Sequence, residues 1–300
     1  MHQSAMYYGQ RFFETYCNYR NSGELTVVEI GSQDVNGSLR EACSSGFHYI
    51  GLDFVEGKGV DIVIDDPYRL PLEDASADIV VSSSCFEHSE FFWLVFLEVM
   101  RILKDDGIFY LNVPSNGFFH RWPVDCWRFY PDSGHALVNW ARRNGYKPTL
   151  LESFIGQRSA GQVSEGGMWN DFVAIFVKNE THAVKYPERI IHLLQGYCNG
   201  YTNKQANILN FNERGPDFSL IEEQAEKITS LSQVLIKRDS QITSLNEAMS
   251  ERDTQFSQLE RQLTEAKTRI QGMEQSRSWR ITAPYRVLGS LLRASIHFVR

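Results

Sequence analysis

From residue 25 to residue 178 the chain alternates short apolar runs with amphipathic stretches. Leu25–Ile30, Tyr49–Phe54, Val60–Ile64, Ala77–Ser82 and Ile108–Val113 are β-branched or continuously apolar and read as strands buried on both faces. Pro148–Phe154 and Phe172–Lys178 add two more. Between them "SLREACSSG" and "EFFWLVFLEVMRILKDDG" have helical spacing, and the second is expected to end at Gly107 as a helix C-cap. Residues 5–21 read as an aromatic-rich helix leading into the first strand. This alternation predicts an α/β fold: a Rossmann-like, doubly wound seven-stranded sheet over residues 1–179.

Residues 180–217 hold no clear period and read as a connector with one helix around Pro187–Gln195. The pattern then changes to a heptad. With Ile221 at position a, that series runs Ile221, Ile228, Leu235, Ile242, Met249, Phe256, Leu263 and Ile270, all apolar. The d series is weaker, with Arg238 and Arg252 interrupting Leu231, Leu245, Leu259 and Met273. A seam sustained this far, with no proline, predicts a long coiled-coil helix over residues 218–274, roughly 85 Å at about 1.5 Å per residue. It also predicts homo-oligomers whose number stays open. Residues 275–300 carry arginines and no acidic residue after Glu274, with apolar positions from Val287 to Phe298 at helical spacing. Such a basic amphipathic tail suits an anionic membrane surface, and equally a helix packing on a partner.

Composition narrows the function. A formal net charge of -7 over 300 residues argues against a nucleic-acid partner. Five scattered cysteines without a CxxC pair give neither a disulfide framework nor a zinc motif and suit a cytoplasmic chain. The N-terminus lacks the apolar core of a signal peptide, and no apolar run is long enough to span a bilayer. The expected place is the cytoplasm, with peripheral contact at the inner face of the cell membrane through the tail.

The chemistry starts at "VVEIGSQDVNGSLRE", where a strand runs into a glycine-bearing polar loop. Such a turn lies at the carboxyl end of a strand, where open α/β sheets bind nucleotides. It lacks GKS/T and GxGxxG, so neither nucleotide hydrolysis nor a standard dinucleotide site follows. "YIGLDF" places Asp53 roughly 20 residues after Gly31, where an acid can accept both ribose hydroxyls of an adenosine. An acidic cap on the next segment would read the same way.

With "IDDPYRLPLEDASADIVVSSSCFEH" and "EVMRILKDDGIFYLNVPS" added in order, the chain resembles class I S-adenosylmethionine-dependent methyltransferases of the sugar and small-molecule branch. The four segments span about residues 25–115. The resemblance implies S-adenosyl-L-methionine as cofactor. It implies Glu29, Gly31, Ser32 and Gly37 at the methionine end, Asp53 on the ribose, and Asp66 at the adenine amino group. Ser83 and Ser84 would lie beside the sulfonium. The loop "GSQDVNG" departs from the usual GxGxG.

After the fifth strand, "FFHRWPVDCWRFYPDSG" offers aromatic faces with interleaved carboxylate and arginine, a composition that suits a sugar ring. Trp122, Trp127, Arg128 and Tyr130 are the substrate-binding candidates, and His88, His120 and Asp125 the catalytic ones. An Asp125–Arg128 pair that merely holds a lid is the bland alternative. No metal is expected, because no ligand spacing stands out. "SWRITAPYR" resembles a tail motif of bacterial polysaccharide-assembly proteins. The sequence thus predicts an O-methyltransferase acting on a glycan or lipid-linked sugar of a surface polysaccharide, working beside polysaccharide-assembly enzymes and in one version capping the chain. Two alternatives are a methyltransferase-like scaffold without catalysis and a methyltransferase for a quinone or other small molecule.

Overall fold

The computed structural model describes residues 2–17, 25–43, 45–158 and 169–297. They form two units, Met1–Glu222 and Glu223–Arg300.

The first unit is built on one sheet: β1 (Thr26–Ile30), β2 (His48–Asp53), β3 (Ile62–Val63), β4 (Ala77–Ser83), β5 (Leu103–Pro114), β6 (Thr149–Gly156), β7 (Asp171–Val177), β8 (Tyr197–Thr202) and β9 (Gln205–Leu209). Their order is β3-β2-β1-β4-β5-β7-β6-β8-β9. Strands β1 to β5 are parallel, β7 runs antiparallel to β5, and β6, β8 and β9 each run antiparallel to the strand before them in that order. All seven residues of β4 and of β7 are buried, as their apolar runs require of strands covered on both faces.

One face carries α3 (Phe92–Ile102) and α4 (Ser133–Arg143) and packs Phe96, Val99, Phe109 and Phe176 together. The other carries α1 (Gln3–Tyr16), which buries Tyr8, Phe12, Phe13 and Tyr16 against Tyr110 and Phe154. Gly9 of α1 lies so close to Leu39 of the one-turn α2 (Leu39–Ala42) that a Cβ there would stand 2.2 Å from Leu39 Cδ2.

The seven-stranded expectation is corrected to nine strands. The two additional ones, β8 and β9, come from residues expected to be a connector, and β8 pairs with the outer edge of β6. Buried groups hold this extension. Glu152 of β6 accepts from Tyr16 Oη (2.6 Å) and from the backbone N–H groups of Ile190 (2.8 Å) and Ile191 (2.9 Å). Buried Arg189 donates to the Leu151 and Tyr186 carbonyls and to Asn203 Oδ1. The helix expected around Pro187–Gln195 is one 3-10 turn, Ile190–His192. Residues 103–107, expected as the end of a helix, already belong to β5, where Leu103 pairs with Ala77.

A single helix, α5 (Pro216–Gln275), carries the heptad positions and buries none of its residues. Proline at its first position costs no hydrogen bond, because that N–H has no intrahelical partner. Ser276 ends the run and caps α6 (Arg277–Ile281), which is followed by α7 (Ala283–His297). Among the described residues, no helix is long and apolar enough to cross a membrane.

Candidate active site

The order of the sheet reverses between β1 and β4, since β1 leads outward to β2 and β4 to β5. In open α/β sheets a crevice opens at that point, outside the carboxyl ends of the strands. Register brings those ends level: Ile30 stands opposite Leu52 on one side and Ser82 on the other, and Ser83 opposite Asn112. The predicted cofactor residues on β1, β2 and β4 therefore lie on one edge.

Gly31 leaves β1 with φ +80°, a conformation that disfavours any side chain, and its N–H donates to the Leu52 carbonyl (2.9 Å). A Cβ there would also stand 2.6 Å from Cys85 Cβ, so glycine lets the β1 and β4 loops close on each other. Gly37 (φ +118°) ends the loop, its N–H donating to Asp34 Oδ1 (2.9 Å). Asp53 accepts from Gln33 N (2.9 Å) and Phe54 N (2.7 Å), which ties the β1 loop to the end of β2 and leaves lone pairs on both oxygens. Glu29 is buried and accepts from Tyr49 Oη (2.8 Å). Burial pushes its carboxyl up to about 7, against the pull of that hydrogen bond.

Ser84 holds φ +53°, uncommon outside glycine, with its N–H on the Asn112 carbonyl (2.9 Å). The hydroxyls of Ser32 and Ser83 are buried without a hydrogen-bond partner. Orphaned donors beside a strained residue and a glycine-only turn fit a polar ligand bound at this edge. Asp66 is exposed after β3, its Oδ1 accepting from Tyr68 N in a local turn (2.8 Å). A cleft of about 710 Å³ between α1 and the β1–α2 loop, lined by Met6, Gln10, Asn36 and Glu41, includes none of these residues.

The loop after β5 splits the remaining candidates into two groups. Trp122 and Tyr130 stand 69% and 58% exposed. Trp127 donates from Nε1 to the Ser89 carbonyl (2.9 Å) and packs edge-on against Phe92 and Trp93. Arg128 forms a two-armed pair with Asp125 (2.6 and 2.9 Å) and also donates to the Phe118 carbonyl. Burial would raise the Asp125 carboxyl, but the Arg128 hydrogen bond and the His120 N–H bring it down to about 2. Fully ionised and paired, Asp125 is a weak base, and the geometry gives it a positioning part in this loop.

His88 and His120 meet edge to face with ring centroids 5.0 Å apart. His88 Nδ1 lies against the Val124 carbonyl (2.5 Å), so that nitrogen carries the proton and Nε2 keeps its lone pair. Burial and the neighbouring His120 hold the His88 pKa below the usual histidine value.

Glu87, not singled out in the sequence, is buried beside His88, and burial pushes its carboxyl up to about 8. Its place in the "EH" pair was the available signal. Trp169 was also missed; its buried ring supports His120 and Phe118 at centroid distances of 5.1 Å. It lies far along the chain from them, and no short motif links it to this loop.

A sequence family described as a methyltransferase domain matches residues 17–111. The chain carries a methyltransferase domain. S-adenosylmethionine is the methyl donor of this domain, and the β1–β2–β4 edge has the donor and acceptor set to hold it. Solved structures are similar to this chain at low identity. The 1,6-didemethyltoxoflavin-N1-methyltransferase of Burkholderia thailandensis, determined with S-adenosylhomocysteine bound, is 16% identical (TM-score 0.43) over 59% of this chain and 80% of its own. The YcgJ protein of Bacillus subtilis is 14% identical (TM-score 0.42) over 60% and 100%. The [4+2]-cyclase SpnF is also 14% identical (TM-score 0.42), over 59% and 82%. No curated protein matches the sequence.

Proposed function

We propose that the enzyme O-methylates a sugar of a surface polysaccharide, and that the loop after β5 receives the sugar. The exposed side chains of Trp122 and Tyr130, on the loop that follows β5, carry this reading: aromatic rings left open to solvent suit the apolar face of a pyranose. The tail "SWRITAPYR" adds support, as does the long helix that would gather active sites near a glycan-assembling complex and a membrane surface.

The cofactor supplies a methyl carbon bonded to positively charged sulfur. The acceptor oxygen forms its new bond to carbon as the carbon–sulfur bond breaks, and the hydroxyl proton must leave. His88 is the proton acceptor in this scheme, because its Nε2 lone pair is fixed by the Val124 contact and its neutral form persists at neutral pH. Glu29 holds the cofactor's ammonium, Asp53 its ribose hydroxyls, and Asp66 its adenine amino group. Ser32 and Ser83 offer their unpartnered hydroxyls. Asp125 and Arg128 keep the sugar loop in place.

Incubating the full chain with methyl-labelled cofactor and lipid-linked or free oligosaccharides should place label on a sugar hydroxyl. Label on the terminal sugar alone matches chain capping. Label spread along internal residues sinks capping, and label only on a quinone or other small acceptor sinks the glycan reading.

The burial of Glu29 gives a pH signature. Only its ionised form attracts an ammonium group, and its carboxyl ionises around pH 7. Cofactor affinity is therefore expected to rise about tenfold from pH 6 to pH 8. Titration calorimetry across that range reads it, and Glu29→Gln should flatten the profile. An unchanged profile in the variant would remove Glu29 from the ammonium site.

A further inference from the structure

The side chains of Glu87, His88 and His120 each offer a ligand atom, and these atoms all lie within 4.8 Å of one another. We propose that this cluster binds a first-row divalent transition cation of the zinc, cobalt or iron(II) type. Glu87 and His88 come from the turn after β4, and His120 from the loop after β5. The cluster thus sits where the two segments nearest the acceptor side of the crevice meet.

Proton placement is the first argument. The Val124 carbonyl can only accept, so His88 donates to it from Nδ1 and presents a bare lone pair at Nε2. That nitrogen lies 3.8 Å from Glu87 Oε1, too far for a hydrogen bond. Two metal bonds of about 2.1 Å meeting at a wide angle span such a gap. Glu87 supplies the second argument. Its side chain is 1% exposed and its Oε2 has no hydrogen-bond partner. A buried carboxyl oxygen without a partner is costly, and a cation ligated by the same group offsets that cost.

His120 is oriented in the way ligating histidines usually are. Its Nδ1 lies 3.3 Å from the Phe118 carbonyl, 3.3 Å from Asp125 Oδ2 and 3.5 Å from Arg128 Nη2, which leaves Nε2 as the ring nitrogen to ligate. Asp125 is itself fixed by both arms of Arg128. Asp125 Oδ2 also accepts from the His120 backbone N–H (2.7 Å), so the pair fixes the stretch of loop that presents this ring. The bland role found above for Asp125 and Arg128, holding the loop, thereby acquires a purpose.

The donor set decides the metal class. Two imidazoles with one carboxylate suit zinc, cobalt and iron(II) over calcium or magnesium, which take oxygen shells. Three protein ligands leave at least one position open, as in catalytic rather than structural zinc sites. If the methyl-transfer reading holds, that position takes the acceptor hydroxyl and lowers its pKa, and the cation replaces His88, whose Nε2 is then a ligand, as the group that eases loss of the proton to solvent. Only this role rests on that reading; the binding does not.

The test uses the full chain, purified without a histidine tag, stripped with chelator and titrated with cobalt(II). One equivalent should give visible absorption bands that zinc(II) then displaces. His120→Ala and Glu87→Gln should each weaken binding by more than about 10-fold, the low end of what losing an outer partner of a ligand alone costs. The His192→Ala control, at an exposed position outside the cluster, should leave it unchanged. His120 lies in a loop outside the sheet core, so its variant decides the matter even if Glu87→Gln does not fold. A folded wild type with no cobalt bands, or unchanged affinity in His120→Ala, overturns the proposal. Titrating the stripped chain with S-adenosylmethionine separates the two readings. Loss of cofactor binding there would count against the methyltransferase assignment while leaving the metal result standing.

Discussion

Asp53→Ala is expected to lower S-adenosylmethionine affinity by more than about a hundredfold while the chain stays folded. The carboxylate would lose two charge-assisted hydrogen bonds to ribose hydroxyls, each worth about 1.5–3 kcal/mol. It would also release Gln33 N and Phe54 N, which now fix the β1 loop and the end of β2. Asp53→Asn separates the effects: one amide oxygen keeps an acceptor for a backbone N–H, but the charge and the second acceptor are gone. Asn should therefore bind more tightly than Ala and more weakly than the native chain. Titration calorimetry with the cofactor and its demethylated product, beside thermal melts of all three proteins, reads this directly. Undiminished affinity in Asp53→Ala would move the ribose away from β2, and a folded native chain that binds neither ligand would sink the enzyme reading.

Strands β1, β4 and the second half of β5 were legible because parallel strands covered on both faces must be continuously apolar. "DIVVSS" and "VVEI" can hardly be anything else. The same density of apolar residues hid the join at Ile102–Leu103, where helix and strand patterns both fit and only pairing with Ala77 decides. The β8–β9 hairpin was illegible for the opposite reason. Its strands are edge strands, β9 is exposed over its first three residues, and the Asn203–Lys204 turn lacks the glycine that marks most two-residue hairpins. What holds it in place, Glu152 and Arg189, are charged residues whose burial no local pattern announces.

The candidate site divides along similar lines. Glu29, Gly31, Asp53 and Ser83 could be placed at one edge of the sheet from the sequence because strand ends fix where their side chains begin. Glu87 was not, because neighbouring acids and histidines look alike until one of them is buried. Arg128 and Asp125 were legible as a pair but not as a purpose.

The second large effect concerns assembly. Along α5 the whole a series is exposed, from 55% at Ile242 to 64% at Ile228, and so are Leu231, Leu245 and Leu259 at d. A 60-residue helix with an apolar seam open to water has every reason to self-associate, since a second copy presents the same seam at the same spacing. A second copy is also the one partner guaranteed to match its length. We expect the full chain to run as a dimer or trimer by sedimentation at micromolar concentration. Placing two carboxylates in the seam, Ile242→Asp with Met249→Asp, should return it to single chains, because burying each unpaired ion costs several kcal/mol. The paired substitution lies outside the first unit, so cofactor binding should be unaltered. A native chain that sediments as a monomer would end the oligomer reading and leave the exposed seam for a different helix to cover. An assembly that survives both aspartates would place its contacts elsewhere than the Ile221 seam.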